Sequence, residues 1–355
     1  MNYKIVNIRT TAKNDPKDSI LIIYTGGTIG MVYDEEGSLM PFNFVKVLER
    51  IPEITSLELK ITVISFPVPI DSSNVNYKDW QDLAYIIYEN YHQYSGFVIL
   101  HGTDTMAYSA SAISFMLQGL SKPIIFTGAQ IPIGHIRSDA RENIITALEI
   151  ASAKKGDNPI INEVCIYFNF VLLRGNRSSK IRSSTFAAFE SQNYPTLAES
   201  GIFIEYNHGA LMHHRPNSKL KFKKQFDPNC VVLTIFPGIT KEVVRQILGI
   251  KGLKGVILLT FGSGNTMSYD WFINELEKAI LKGIVIYNVS QCIGGEVIQG
   301  RYETSKRLSD IGVVGGSDIT LEAAITKLMF LLGNEKNTET VKEKLAKPLV
   351  GEMDF

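Results

Sequence analysis

The stretch Leu21-Ile22-Ile23-Tyr24-Thr25-Gly26-Gly27-Thr28 runs from an apolar segment directly into a glycine turn. A second stretch, Gly96-Phe97-Val98-Ile99-Leu100-His101-Gly102-Thr103-Asp104, repeats this arrangement. Short apolar runs that end in turn residues are typical of buried parallel strands. In open α/β sheets, ligands bind beyond the carboxyl ends of such strands. Residues 25–28 and 101–104, which we call the first and the second threonine turn, therefore predict two threonine hydroxyls at one end of a sheet.

Apolar runs alternate with helical patterns around both turns. We predict strands at residues 59–66, 123–127 and 165–170, and helices at residues 79–91, 105–118 and 139–153. Asp139 and Glu142 have the spacing of a capping box at the start of the last of these helices. Strands that alternate with helices indicate βαβ units and a mainly parallel sheet.

A polar segment separates two such alternating regions. It contains His213-His214-Arg215-Pro216-Asn217 and a lysine-rich run, a composition typical of an exposed linker. Beyond it, strands are predicted again at residues 231–236, 255–260 and 283–288. The sequence therefore predicts an α/β protein of two domains. A larger N-terminal catalytic domain (1–205) has a mainly parallel sheet flanked by helices, and a linker (206–226) joins it to a smaller C-terminal α/β domain (227–355).

Composition and charge argue against several classes of protein. The 36 basic and 36 acidic side chains give a formal net charge of zero, which offers no electrostatic basis for binding nucleic acid or an anionic membrane. No apolar run is long enough to span a membrane, and the N-terminus lacks the apolar segment of a signal peptide. The cysteines Cys165, Cys230 and Cys292 are widely spaced, which disfavours a disulfide framework or a zinc site. We expect a cytoplasmic protein without a metal and without a nucleic-acid or membrane partner.

Each polar motif has a plain structural interpretation as well as a functional one. The first threonine turn can be a strand-to-loop connection whose glycines supply positive φ angles, and Thr103 or Asp104 can cap the following helix. Asp71-Ser72-Ser73 can be turn formers, and Lys180 can be a solvated surface charge. Alternatively, backbone N–H groups at the helix start suit an oxyanion, and a neighbouring base can activate a threonine nucleophile. Because capping and catalysis can coexist at one position, both interpretations stay open.

Six short motifs follow one another in order along the chain. They are Thr25-Gly26-Gly27-Thr28-Ile29-Gly30-Met31, Asp71-Ser72-Ser73, His101-Gly102-Thr103-Asp104-Thr105-Met106-Ala107-Tyr108, Thr127-Gly128-Ala129-Gln130, Arg174-Gly175-Asn176-Arg177-Ser178-Ser179-Lys180 and Gly262-Ser263-Gly264-Asn265. Together they closely resemble the bacterial type I, cytosolic, L-asparaginases over nearly the whole chain. The resemblance implies hydrolysis of L-asparagine to aspartate and ammonia by a two-domain enzyme that needs no metal or cofactor.

The resemblance also implies a role for each matching position. Thr28 would attack the side-chain amide to form an acyl-enzyme, while Thr103, Asp104 and Lys180 would form a second group that moves protons. The Thr103 N–H would help hold the oxyanion, and Asp104 would also bind the substrate ammonium. The remaining implied contacts are Asp71, Ser72 and Ser73 to the α-carboxylate end, the Ala129 carbonyl to the leaving amide, and Asn265 from a neighbouring subunit of a homotetramer built as a dimer of dimers.

One position departs from the family's pattern. The family activates its nucleophilic threonine with a loop tyrosine, and Ser38 stands at that position here. Tyr33 is the only tyrosine in this loop. Our hypothesis is therefore that Tyr33 or an ordered water accepts the proton of Thr28.

Two other functions remain as alternatives. A tRNA-dependent amidotransferase subunit shares this catalytic domain but carries an additional N-terminal domain, whereas only a short segment precedes Leu21 here. The zero net charge also gives no support for tRNA binding. A non-catalytic binding module for small amino acids would keep the serine and aspartate contacts but would not need Lys180 or two placed threonines.

Overall fold

The computed structural model describes residues 4–8, 16–33, 39–41, 51–213, 218–300 and 303–354. The chain folds into two units, Met1–Phe222 and Lys223–Phe355, each with its own sheet. The predicted two-domain α/β class is confirmed. In the described ranges, no helix combines the length and the apolar character that crossing a membrane requires.

The first unit contains three helices and many strands within its described residues. The helices are α1 (Tyr77–Asn90), α2 (Met106–Met116) and α3 (Ala140–Ser152). The strands are β1 (Lys4–Ile8), β2 (Ser19–Gly26), β3 (Met31–Tyr33), β4 (Leu39–Pro41), β5 (Lys60–Ile70), β6 (Gly96–Leu100), β7 (Leu117–Gln118), β8 (Ile124–Thr127), β9 (Lys154–Lys155), β10 (Asn158–Pro159), β11 (Val164–Phe168), β12 (Val171–Arg174), β13 (Ser179–Lys180), β14 (Phe189–Glu190), β15 (Ala198–Ser200), β16 (Ile204–Tyr206) and β17 (Lys221–Phe222).

A nine-stranded sheet forms the centre of this unit, in the order β1-β5-β2-β6-β8-β11-β12-β15-β16. The strands from β5 to β11 in that order run parallel, and the strands at both edges pair antiparallel. Every residue of β6 and β8 is buried. Because successive side chains of a strand point to opposite faces, both faces of these strands are covered. The mainly parallel sheet expected from the apolar runs is confirmed.

One helix start has a capping box that the sequence analysis did not predict, and the one capping box that it did predict is wrong. Helix α1 begins with a capping box, in which the Asn76 side chain and the Asp79 carboxylate accept from backbone N–H groups. The capping box predicted at Asp139 is wrong, because Asp139 makes no side-chain cap. Its carboxylate instead accepts from the backbone N–H groups of Gln130 and Ile131 in the preceding loop.

The second unit contains a smaller parallel sheet in the order β18-β19-β20-β21. Its strands are β18 (Cys230–Thr234), β19 (Gly255–Thr260), β20 (Val285–Ser290) and β21 (Val314–Gly315), and its helices are α4 (Lys241–Leu248), α5 (Asp270–Leu281), α6 (Glu303–Asp310), α7 (Leu321–Asn334) and α8 (Thr338–Leu345). A buried ion pair joins Lys327 of α7 to Glu352, with 2.8 Å between Nζ and Oε1. This contact fastens the last described segment to the core of the unit.

The division between the units falls after Phe222, inside the predicted linker at 206–226. Within that segment, β17 pairs antiparallel with β7 of the first unit. The domain boundaries given from the sequence stay a prediction.

Candidate active site

The two threonine turns meet backbone to backbone. A Cβ atom added to Gly27 would lie 2.4 Å from the Cα of Gly102, closer than real side chains approach. Gly27 also has a φ of +88°, so both its conformation and its neighbour require glycine. Thr28 and Thr103 directly follow these two glycines, at the ends of the adjacent parallel strands β2 and β6. Both threonines therefore lie at the same end of the sheet.

Two more strand ends reach the same place. A Cβ on Gly102 would lie 2.5 Å from the Ser72 Oγ, just beyond the end of β5. A Cβ on Gly128, which follows β8, would lie 2.4 Å from the carbonyl oxygen of His101. The motifs at 71–73 and 127–130 therefore border the two threonine turns.

Thr28 begins a short 3-10 helix, Thr28–Gly30, and is half-buried. No described residue forms a hydrogen bond with its hydroxyl. Ser38 lies outside the described residues, and the side chain of Tyr33 is likewise not described. The group that accepts the proton of Thr28 therefore stays a hypothesis.

Lys180 joins two of the other predicted catalytic positions, Thr103 and Asp104, into one group. Its Nζ donates to Oγ1 of Thr103 over 2.8 Å and to Oδ1 of Asp104 over 2.6 Å. The Lys180 side chain is 16% exposed and that of Asp104 is 61% exposed, so the ion pair lies at the border between core and solvent. Residues far apart in sequence thus form one hydrogen-bonded group, as the motifs implied.

Gln130 is a member of this neighbourhood that the sequence analysis missed. The Thr103 hydroxyl donates to its Oε1 over 3.4 Å, and its Nε2 donates to the Thr185 carbonyl over 2.9 Å. Its place directly after Ala129 in the fourth motif was the available signal. The amide links Thr103 to the segment around Thr185.

The residues expected to bind the substrate also have structural roles. The Asp71 carboxylate accepts from the Ser73 N–H over 3.0 Å, which caps the 3-10 helix Ser72–Asn74. Ser72 is buried, and its carbonyl accepts from the Thr105 hydroxyl over 2.7 Å. Ala129 is buried after β8, whereas Asp71 and Ser73 are exposed. The turn-forming interpretation therefore holds for Asp71, and contact with a substrate stays a prediction.

Asn265 belongs to the second unit. It closes a tight turn with Phe261, in which each residue's N–H donates to the other's carbonyl, over 2.8 and 2.9 Å. Gly262 and Gly264 inside the turn have φ values of +51° and +99°. Its contribution to the site of a neighbouring subunit stays a prediction.

Comparison with known proteins covers both units. Residues 19–211 match the family model described as "Asparaginase, N-terminal", and residues 229–345 match "Glutaminase/Asparaginase C-terminal domain". This chain belongs to the asparaginase family. L-asparaginase 1 of Escherichia coli K12 is 42% identical to it over 339 residues, which cover 95% of this chain and 98% of that protein.

Solved structures of other asparaginases agree with this assignment. L-asparaginase I from Vibrio cholerae aligns with a TM-score of 0.87 and 40% identity, covering 95% of this chain and 99% of that chain. The thermostable L-asparaginase from Thermococcus kodakarensis aligns with a TM-score of 0.84 and 29% identity, with the same coverage of 95% and 99%. The resemblance drawn from the six motifs is confirmed.

In this asparaginase, His101 is a buried member of the second threonine turn. Its Nδ1 lies 2.7 Å from the Gly102 carbonyl oxygen, and its Nε2 lies 2.9 Å from the Ser109 Oγ. Trp80 donates to the same Ser109 hydroxyl over 2.9 Å. Since a carbonyl only accepts, Nδ1 carries the proton and Nε2 accepts from Ser109. Burial lowers the pKa of His101 to about 4, although the Gly102 bond and the Asp79 charge act to raise it.

The segment that leads to Lys180 is anchored in the core of the first unit. Arg174 and Glu163 form an almost fully buried ion pair, with 2.6 Å between Nε and Oε2. The Arg174 guanidinium carbon also lies 4.2 Å from the centroid of the Tyr194 ring. Further along, the Asn176 amide donates to the Ser114 Oγ on α2 over 3.1 Å. These contacts hold the backbone just before Lys180.

Within the described ranges, no group of three or more His, Cys, Asp or Glu side chains is placed to hold a metal ion. The cysteines are free: Cys165 is buried, Cys230 is half-buried and Cys292 is exposed. Burial raises the pKa of the Cys165 thiol well above its usual range and that of Cys230 to about 12.

Proposed function

We propose that this asparaginase hydrolyses the side-chain amide of L-asparagine and releases L-aspartate and ammonia. The observation that carries the proposal is the hydrogen-bonded group of Lys180, Thr103 and Asp104 beside the first threonine turn. Family membership along both units supports it. Two hydroxyls, a cation and a carboxylate at one end of a sheet suit acyl transfer.

In the proposed reaction, the Thr28 oxygen attacks the amide carbon while its proton passes to Tyr33 or an ordered water. The tetrahedral oxyanion accepts a hydrogen bond from the Thr103 N–H. The nitrogen then takes up a proton and leaves as ammonia, so that an ester remains on Thr28. Water attacks this ester, aspartate leaves, and Thr28 regains its proton.

Lys180, Thr103 and Asp104 form the second group in this proposal. The Lys180 ammonium orients the Thr103 hydroxyl, which relays protons to the leaving amide and from the attacking water. One Asp104 oxygen bonds to Lys180, and among the described residues its other oxygen has no partner. The exposed carboxylate is therefore available to bind the ammonium group of the substrate.

The other proposed contacts position the substrate. Asp71, Ser72 and Ser73 bind its α-carboxylate end, and the Ala129 carbonyl faces the leaving amide. We also propose a homotetramer, a dimer of dimers in which Asn265 of a neighbouring subunit completes each site. A cytoplasmic location is part of the same proposal and is supported by the free cysteines.

Ammonia release from L-asparagine by wild type, Thr28→Ala and Thr28→Ser tests the proposal. We expect Thr28→Ala to lower kcat by about 10³-fold or more, and Thr28→Ser to retain part of the activity because it keeps a hydroxyl. Equal release by wild type and Thr28→Ala would exclude Thr28 as the nucleophile. Binding of asparagine by a wild-type protein that releases no ammonia would favour the binding module instead.

A further inference from the structure

The peptide between Gly102 and Thr103 carries two polar groups with different surroundings. The Gly102 carbonyl accepts from the His101 Nδ1–H over 2.7 Å. No described residue accepts a hydrogen bond from the Thr103 N–H. In a trans peptide these two groups lie in one plane and point in opposite directions. Whatever fixes the direction of the carbonyl therefore fixes the direction of the N–H.

The backbone of the turn does not fix this direction by packing alone. Gly102 is held at its Cα by Gly27 and Ser72, since a Cβ there would lie 2.7 Å or less from the Ser72 side chain. A peptide can still rotate between two fixed Cα atoms by opposite changes in ψ of one residue and φ of the next. Glycine permits such rotations more readily than any other residue. The hydrogen bond from His101 is the contact that opposes them.

The imidazole itself is held from its far side. Its Nε2 accepts from Ser109, which lies on α2 and is fully buried. The Ser109 oxygen in turn accepts from Trp80 on α1. Two helices thus fix the ring plane and the tautomer that presents Nδ1–H to the Gly102 carbonyl.

We infer that His101 is a positioning residue, which holds the Gly102 carbonyl and thereby aims the Thr103 N–H at the oxyanion of the reaction. The inference rests on the proposed function, in which that N–H binds the oxyanion. His101 transfers no proton and touches no substrate atom. Its contribution is to the geometry of the transition state, so its loss affects kcat more than the KM for asparagine.

Two substitutions of His101 separate its two hydrogen bonds. His101→Asn places an amide N–H near the position of Nδ1, whereas His101→Gln places its amide near the position of Nε2. We expect His101→Asn to keep kcat within about three-fold of wild type and His101→Gln to lower it about ten-fold, with KM within about two-fold for both. A purely structural role predicts the reverse order, because Asn leaves the larger cavity.

Steady-state ammonia release gives kcat and KM of each variant. Circular dichroism and thermal unfolding show whether each variant is folded. Equal kcat for the two variants, or a loss confined to KM, would overturn the inference. Should His101→Gln fail to fold, Ser109→Ala frees Nε2 while keeping the ring; kcat falls several-fold if the inference holds and is unchanged if it is wrong. A wild-type protein that releases no ammonia would contradict the proposed function itself, which is a different outcome.

Discussion

Among the single residues of the site, Lys180 holds two partners with one ammonium group, the Thr103 hydroxyl and the Asp104 carboxylate. Lys180→Met keeps much of the side-chain volume but removes both donors, so we expect kcat to fall by about 10²–10³-fold. Lys180→Arg keeps the charge, but its planar fork does not match the same two acceptors, and we expect a loss there too. The exposed Lys155 is the matched control: Lys155→Met leaves kcat unchanged. Full activity of Lys180→Met would remove this residue from the mechanism.

His101 makes the stability of the protein depend on pH. Burial lowers its pKa to about 4 in the folded state, below the ordinary value of 6.5. The unfolded chain therefore binds the proton more readily than the folded one between these two values. The neutral His101 imidazole therefore contributes to the free energy of unfolding. This contribution is fully present above pH 6.5 and is lost as the pH falls towards 4, by up to about 3 kcal/mol.

Urea unfolding midpoints between about pH 7 and pH 4 measure this effect. His101→Asn lacks the imidazole and is the matched control, so its midpoint falls less over the same range. Parallel pH curves for the two proteins would contradict the predicted neutral, buried imidazole.

The site residues that were predicted from the sequence differ from those that were missed in where the evidence for their contacts lies. Thr103, Asp104 and Lys180 belong to motifs whose order indicates one family, so their proximity was predictable. His101 and Gln130 act through hydrogen bonds whose partners come from other segments, Ser109 and Thr185 among them. Residue type alone did not distinguish these roles from ordinary core or surface positions.

At the level of secondary structure, the site depends on how closely the strand ends approach. Gly27→Ala would place a Cβ 2.4 Å from the backbone of Gly102 at a φ of +88°. The two threonine turns would have to separate, so we expect kcat to fall by about 100-fold or more and the melting temperature to drop.

Gly156→Ala is the control for the strained backbone alone. Gly156 has a φ of +65°, but an added Cβ would meet nothing within 4 Å. We expect it to cost about 1 kcal/mol of stability without affecting kcat. Equal losses of kcat in the two variants would show that kcat does not depend on the contact between the two threonine turns.

The helices and strands were predictable from the sequence where their apolar patterns were long. The central parallel strands have continuous apolar runs, but the two-residue strands β13 and β14, which hold Lys180, are too short to show a period. The strand predicted at 165–170 ends at Phe168 instead. Asn169 and Phe170 adopt φ values of +48° and +68° and turn the chain back into β12. A phenylalanine with a positive φ is set by tertiary contacts, and local propensity does not predict it.

For the whole molecule, the proposed tetramer makes a prediction about mixed assemblies. Thr28→Ala and Asn265→Ala are each expected to lose most activity alone. If Asn265 acts on a neighbouring subunit, co-expression of both variants creates sites with an intact Thr28 and an intact partner Asn265. Random pairing restores about a quarter of the wild-type sites.

The measurement is ammonia release by doubly tagged, purified mixed assemblies, with a mass determination in solution. Each variant purified alone is the control. Activity of the mixture no higher than that of the two variants alone would mean that Asn265 does not act across a subunit boundary.

The two-domain organisation was predictable because the alternation of strands and helices begins again after the linker. Alternating strands and helices reappear beyond residue 226, and a second parallel sheet forms there. The point of division was harder to predict, because β17 pairs with β7 through only two residues.

The three free cysteines have a use in following how the molecule opens. Cys165 lies in the first unit and Cys230 in the second, and burial raises the pKa of both thiols. An alkylating reagent needs the thiolate, so it modifies the buried Cys165 when the surrounding structure opens and modifies the half-buried Cys230 more slowly than an exposed thiol. Once the exposed Cys292 has been blocked, pulsed alkylation and peptide mass spectrometry give a separate rate of thiol modification for each unit. Each of the two units thus contains one partly or fully buried thiol that reports on its local opening.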